Sequence, residues 1–172
     1  MITNGQNLSQ NDENVANNNV EDIHVPLENR LDRFLAGEKV LADLYEVDEN
    51  ELWCIAQTGA EMIENGRLED AQKVFEGLTA LDPYESNYHT ALGCVYQRQE
   101  NLEAADREYE RAAFLNETDL IARANRVEVL VQLERYDDAV AQTEALTALD
   151  PGARNEATQR AVILVSAIYQ NL

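Results

Sequence analysis

The reactive side chains of this sequence are few. It holds two histidines, His24 and His89, and two cysteines, Cys54 and Cys94. No two of them stand at the close, repeated spacing that brings several ligands to one zinc ion, so no metal site is expected. Carboxylates are abundant, 33 Asp and Glu against 13 Lys and Arg. They follow the outward faces of helical patterns, and no pair is singled out for acid–base work. No Gly-rich phosphate loop, nucleophile elbow or dinucleotide fingerprint occurs. Two isolated cysteines make no disulfide framework, and each reads as a small buried apolar side chain. His89 falls at a helix position normally used for packing. The expectation is a chain that is not an enzyme and needs no metal or cofactor.

What the sequence offers instead is a repeated unit. Gly59, Ala71, Phe75, Leu78, Leu81 and Pro83 recur about 34 residues later as Gly93, Ala105, Tyr109, Ala112, Leu115 and Glu117. A second step gives Val127, Ala139, Thr143, Leu146, Leu149 and Pro151. That interval is the tetratricopeptide period, one helical hairpin per repeat. Small residues at Gly59 and Gly93, with Ala71, Ala105 and Ala139, let two helix backbones approach. Phe75 and Tyr109 fill the space between hairpins, and Pro83 and Pro151 end the second helices. One hairpin cannot bury its apolar face alone, so stacking supplies the core. The expected fold is all-α, three tandem hairpins in a right-handed solenoid. The third repeat departs from the pattern, with Arg126-Val127 for Leu-Gly and Thr143 for the aromatic, as terminal repeats do.

In chain order, residues 1–25 are Asn-rich and acidic with few apolar side chains, and read as a disordered tail. Residues 26–47 form an amphipathic helical segment opened by Pro26, with Gly37 able to split it in two. Its stripe (Leu27, Leu31, Phe34 and Leu35) must be covered, either by the first hairpin or by a second copy in a dimer. The hairpins occupy 48–151. Asp48 with Glu51 is a capping-box variant, and Gly66 supplies a left-handed turn. Residues 152–172 hold a last helix whose Ala161, Ile163, Leu164, Ala167 and Ile168 can seal the stack. The net charge of −20 repels phosphate backbones and anionic lipid, so nucleic-acid and membrane roles are disfavoured. The acidity suits solubility, or a holder of basic or aggregation-prone partners. With no signal peptide and no apolar run of about 18 residues, a cytoplasmic protein is expected.

Three runs carry a closer resemblance: LADLYEVDENEL, GRLEDAQKVFEGLTALDPYES and LGCVYQRQENLEAADREYERAAFLN. They are similar to the class II chaperones of bacterial type III secretion, the LcrH/SycD/CesD type. The matching elements are Leu44 to Asp48, Gly66 to Phe75, Leu81 to Ser86 and the run Asn125-Arg126-Val127-Glu128, within a match over about Leu41 to Ile168. The resemblance implies a cytosolic chaperone that binds hydrophobic translocator proteins before export. Its concave groove takes an extended segment from the translocator's N-terminal region, anchored by Pro and Leu. Tetratricopeptide repeats point positions 2, 5, 9 and 12 of each first helix into that groove. Here these are Trp53, Ala56, Ala60 and Ile63; Asn87, Thr90, Cys94 and Gln97; and Ile121, Ala124, Glu128 and Val131, with Tyr84 and Tyr88 near the rim. Small side chains would leave pockets for bulky anchors, and the amides could pair with an extended backbone. Arginine at Ala60 or Ala124 is therefore expected to block binding and spare the fold. The family also tends to dimerise. Two departures stand: the first-repeat groove is less aromatic than is usual for the family, and the Asn-rich tail is atypical. The other reading is a tetratricopeptide scaffold unrelated to secretion.

Overall fold

Helix-ending chemistry sets the element order. The computed structural model describes residues 26–169, and the tail expected over residues 1–25 lies outside the described residues. Among the described residues the chain is helical throughout, with no strand. Two short helices, α1 (Leu27–Leu35) and α2 (Leu41–Leu44), precede three hairpins. These are α3 (Glu49–Glu64) with α4 (Leu68–Leu81), α5 (Ser86–Arg98) with α6 (Leu102–Leu115), and α7 (Leu120–Gln132) with α8 (Tyr136–Leu149). A final helix, α9 (Glu156–Tyr169), lies against α7 and α8.

The start of α3 is the expected capping box. Glu51 N donates to Asp48 Oδ1 at 2.8 Å, and Asp48 N donates to Glu51 Oε2 at 3.2 Å, so two helix-end donors are satisfied reciprocally. Each hairpin then turns through a left-handed residue, which lets the chain reverse. Gly66 takes that position in the first hairpin at φ +73°. Glu100 and Glu134 take it in the second and third, at φ 61° and 60°. The same backbone bond closes all three turns: Arg67 N to Met62 O, Asn101 N to Tyr96 O, and Arg135 N to Leu130 O, each at 2.8 or 2.9 Å.

Within each hairpin the helices meet at the small residues. Ala71, Ala105 and Ala139 are fully buried. A Cβ on Gly59 would lie 2.8 Å from the Phe75 ring, and one on Gly93 would lie 2.8 Å from the Tyr109 ring. The third hairpin reaches the same density by another route. Where the aromatic becomes Thr143, the glycine becomes Val127, and both are buried. Its departures are thus a paired exchange of volume between facing helices. Asp106 of α6 clamps hairpins two and three, receiving Arg126 Nε at 2.7 Å and Arg135 Nη1 at 2.5 Å.

The ends of the stack are closed differently. Ala42 of α2 joins the first core with Leu52, Phe75 and Leu78, and α2 packs on α4. Ala157, Ala161 and Val165 of α9 complete the last core with Ala124, Val127 and Leu130. Helix α1, by contrast, packs on α2 alone and buries no residue. Arg30 holds it there, donating from Nη1 to Leu44 O at 2.9 Å and pairing with Glu46 at 3.0 Å. The capping role falls to α2. The stripe of Leu27, Leu31 and Leu35 stays exposed, with Phe34 half-buried.

Candidate functional site

The first helices α3, α5 and α7 stack side by side and form a common face, along which two hollows open. The larger, of about 470 Å³, is floored by Leu52, Ala56, Ala60, Phe75 and Ala91, with Trp53 and Tyr88 as aromatic walls. Small side chains on α3 make this room. Trp53 stands 62% exposed, so its indole is free to cover an occupant. The smaller hollow, of about 330 Å³, lies between α5 and the start of α7, where Asn87, Thr90, Asn116, Thr118, Asp119 and Asn155 line it together with Leu120 and Ile121. Asn87 lines both, so the hollows adjoin as one groove, with more amide and hydroxyl side chains in its smaller part.

Hydrogen bonds fix the groove's polar points. Asp119 Oδ1 accepts from Ile121 N at 2.9 Å and Ala122 N at 3.0 Å, capping α7. Glu85 Oε1 accepts from Asn87 N and Nδ2 at 3.0 and 2.8 Å, which orients the Asn87 amide. Thr90 Oγ1 donates to Ser86 O at 3.2 Å and reaches Asp119 Oδ2 at 3.4 Å. Burial, and then the Glu85, Asp82 and Glu49 carboxylates, push the Tyr88 hydroxyl above its ordinary pKa.

Seven of the residues expected to face the groove line it: Trp53, Ala56, Ala60, Asn87, Tyr88, Thr90 and Ile121. The others are used elsewhere. Ile63 packs against the first core and Val131 against the last. Gln97 Oε1 accepts the buried Tyr109 hydroxyl at 2.9 Å. Glu128 pairs with Arg160 of α9 at 3.6 Å. Cys94 is half-buried, and burial raises its thiol pKa. Tyr84 is exposed and lines neither hollow.

Ala124 requires a correction. It is 0% exposed and belongs to the core with Ala157 and Ala161, because α9 packs on α7 where another repeat would stand. An arginine there would have to enter the core, so the expected tolerance does not hold at this position. Cys54 is likewise exposed rather than buried. His89 is buried, but it makes more than packing contacts: Nε2 donates to Pro83 O at 3.1 Å, and Nδ1 lies 2.8 Å from Glu108 Oε2.

The lining residues missed by repeat positions are Glu49, Leu52, Gln57, Phe75, Asp82, Glu85, Ala91, Asn116, Thr118, Asp119, Leu120 and Asn155. Several sit in the turns before α5 and α7, so the turn sequences DPYES and NETD were the available signal. Asn155 has no such signal, since only the return of α9 places it. Among the described residues no three His, Cys, Asp or Glu side chains group as a metal site. No helix among them is long and apolar enough to cross a membrane.

A tetratricopeptide-repeat family model matches residues 86–119, the second hairpin and its following turn. The chain is 30% identical over 97 residues to anaphase-promoting complex subunit 3 of Schizosaccharomyces pombe, covering 56% of this chain and 15% of that protein. It is 29% identical over 86 residues to the low calcium response locus protein H of Yersinia pestis, covering 50% of this chain and 51% of that one. The chain thus spans about half the length of the Yersinia relative and a small part of the yeast one. Among solved structures, PcrH from Pseudomonas aeruginosa superposes with a TM-score of 0.66 at 26% identity, covering 72% of this chain and 95% of that one. PcrH in complex with the chaperone binding region of PopB gives 0.64 at 26%, over 69% and 97%. The Yersinia enterocolitica type III secretion chaperone SycD, in complex with a peptide of the translocator YopD, gives 0.68 at 23%, over 73% and 98%.

Proposed function

We propose that this chain, a tetratricopeptide-repeat protein of the class II type III secretion chaperone family, holds an extended segment of a secretion translocator in the groove along α3, α5 and α7. The observation that carries the reading is the groove itself. A hollow floored by small apolar side chains and walled by an exposed tryptophan adjoins one lined by amides and hydroxyls. An extended segment needs both, a pocket for a side chain and hydrogen-bond partners for its backbone. The PcrH and SycD complexes, in which related folds hold translocator segments, support the reading. Holding such a segment would shield an aggregation-prone cargo before export, a task belonging to the bacterial cytoplasm and needing neither catalysis nor cofactor.

The exposed stripe of α1 has its own place in this proposal. Leu27, Leu31 and Leu35, with the half-buried Phe34, would be covered by a second copy of the chain, since the three leucines stay exposed among the described residues. The match to a yeast anaphase-promoting complex subunit favours a second reading, a scaffold for other proteins. It extends over 15% of that subunit.

Titration calorimetry separates the two readings. The full chain is titrated with an N-terminal segment of a translocator encoded beside it. Ala60→Arg fills the larger hollow and places a charge on its apolar floor, which costs about 2 kcal/mol or more, or roughly thirtyfold in affinity. Binding by the unaltered chain and its loss in Ala60→Arg, with an unchanged melting curve, is the expected result. No binding by the unaltered chain would leave the scaffold reading.

A further inference from the structure

The larger hollow has a charged edge that the fold leaves unbalanced. Glu49 opens α3, while Asp82 and Glu85 stand in the turn between α4 and α5, and all three line the hollow. Some acids elsewhere are held by bases, Asp106 by Arg126 and Arg135, Asp70 by Arg67 and Glu128 by Arg160. Among the described residues no Lys or Arg pairs with Glu49, Asp82 or Glu85, although they border the site where an occupant sits. Asp82 Oδ1 accepts from Tyr84 N, and Glu85 Oε1 accepts from Asn87. Each keeps its second oxygen uncommitted, and Glu49 keeps both. All three line the same hollow as Tyr88, whose hydroxyl pKa is raised first by burial and then by their charges.

Taking the groove reading as its premise, we infer that the bound segment carries a lysine or arginine next to its apolar anchor, received by Glu49, Asp82 and Glu85. The position follows from extended geometry. Successive side chains of an extended segment point to opposite sides. When one residue enters the floor of Leu52, Ala56 and Ala60, its neighbour projects toward the rim. A cation there meets three carboxylates and the exposed face of Trp53, which adds a cation–π contact. The chain's own N-terminal segment supplies no such cation. Residues 1–25 carry Asp12, Glu13, Glu21 and Asp22 and no Lys or Arg. A cationic segment is attracted, and its association is accelerated by the strongly acidic surface.

The test pans a phage-displayed library of random dodecapeptides on the full chain and follows each recovered peptide by Trp53 emission, the chain having one tryptophan. Expected are peptides with Lys or Arg beside a Leu, Ile or Phe, whose affinity falls about tenfold when citrulline or norleucine replaces the cation. Glu49→Gln/Asp82→Asn/Glu85→Gln keeps the side-chain oxygens that cap the turn and removes three charges. It should melt as the unaltered chain does, weaken the cationic peptide about tenfold and leave its neutral analogue unaffected. High salt should do the same. Peptides that move Trp53 emission without any preference for a cation would overturn the inference and leave the groove reading standing. So would a cationic preference that survives the triple variant. Failure to recover any peptide that moves Trp53 emission would overturn both.

Discussion

A methyl group added at Gly93 should weaken this fold, although alanine ordinarily strengthens a helix by about 1 kcal/mol over glycine. The Cβ of Gly93→Ala would lie 2.8 Å from Cδ1 and Cε1 of Tyr109 and 3.2 Å from Cγ. Carbon atoms rest comfortably at about 3.5 Å or more. The ring has little room to retreat, being fully buried with its hydroxyl bonded to Gln97 at 2.9 Å. Overpacking of this kind costs about 1–3 kcal/mol, which exceeds the gain in propensity. Gly93→Val should cost more, about 3 kcal/mol, and Tyr109→Thr alone about 3–5 kcal/mol through the cavity it opens. The third hairpin carries that combination naturally as Val127 and Thr143. The double variant Gly93→Val/Tyr109→Thr should therefore be less destabilised than the sum of its singles, by about 1–3 kcal/mol. Urea unfolding followed by circular dichroism measures each variant, with the slope checked for a change in cooperativity. A Gly93→Ala chain as stable as the original, or an additive double variant, would refute the reasoning.

Three further outcomes are expected. Asp106→Ala leaves Arg135 half-exposed and Arg126 with Glu110 as its remaining partner, and should cost about 2–3 kcal/mol in the same urea experiment. Leu31→Glu/Leu35→Glu should give a folded monomer in sedimentation, because α1 covers none of the core; an unfolded variant would show that the stripe caps the first hairpin. The hydroxyl of the half-buried Tyr96 donates to Glu76 at 2.9 Å, and partial desolvation with the Glu76 carboxylate pushes its pKa up to about 12. Its folded state holds the proton more tightly than the unfolded state, so its contribution is complete below about pH 10 and is lost as pH rises toward 12. Alkaline titration of tyrosine absorbance should show Tyr96 ionising after the exposed tyrosines, and Tyr96→Phe should flatten the loss of stability over that range.

How much of this was legible in the sequence depends on how local each cause is. Asp48 with Glu51, Gly66 and the Leu-Asp-Pro endings act within one turn of the chain, so they marked helix ends closely. Gly59 opposite Phe75 was legible because the period repeats it as Gly93 opposite Tyr109. The exchange to Val127 and Thr143 was visible as two departures, but their pairing needs the third dimension. Burial on α7 was not legible. Ala124 occupies the same repeat position as Ala56 and Thr90, and α9 alone turns it from groove to core. Likewise, Asp82 and Glu85 belong to a turn and Asn155 to the loop before α9, outside the helix positions that a repeat count ranks. The stripe on α1 could be seen, whereas the division of labour with α2 rests on Ala42 entering the first core and Arg30 tethering α1 to Leu44.

The central claim is that cargo lies along the inner face. Site-specific photo-crosslinking during co-expression with an adjacent translocator tests it most directly, using a benzophenone side chain in place of Ala60, on the floor of the larger hollow, or of Arg107, exposed on α6. The account predicts a crosslink from position 60 that maps to the translocator's N-terminal region, and none from position 107. Crosslinks from 107 with none from 60, in folded chains, would contradict it.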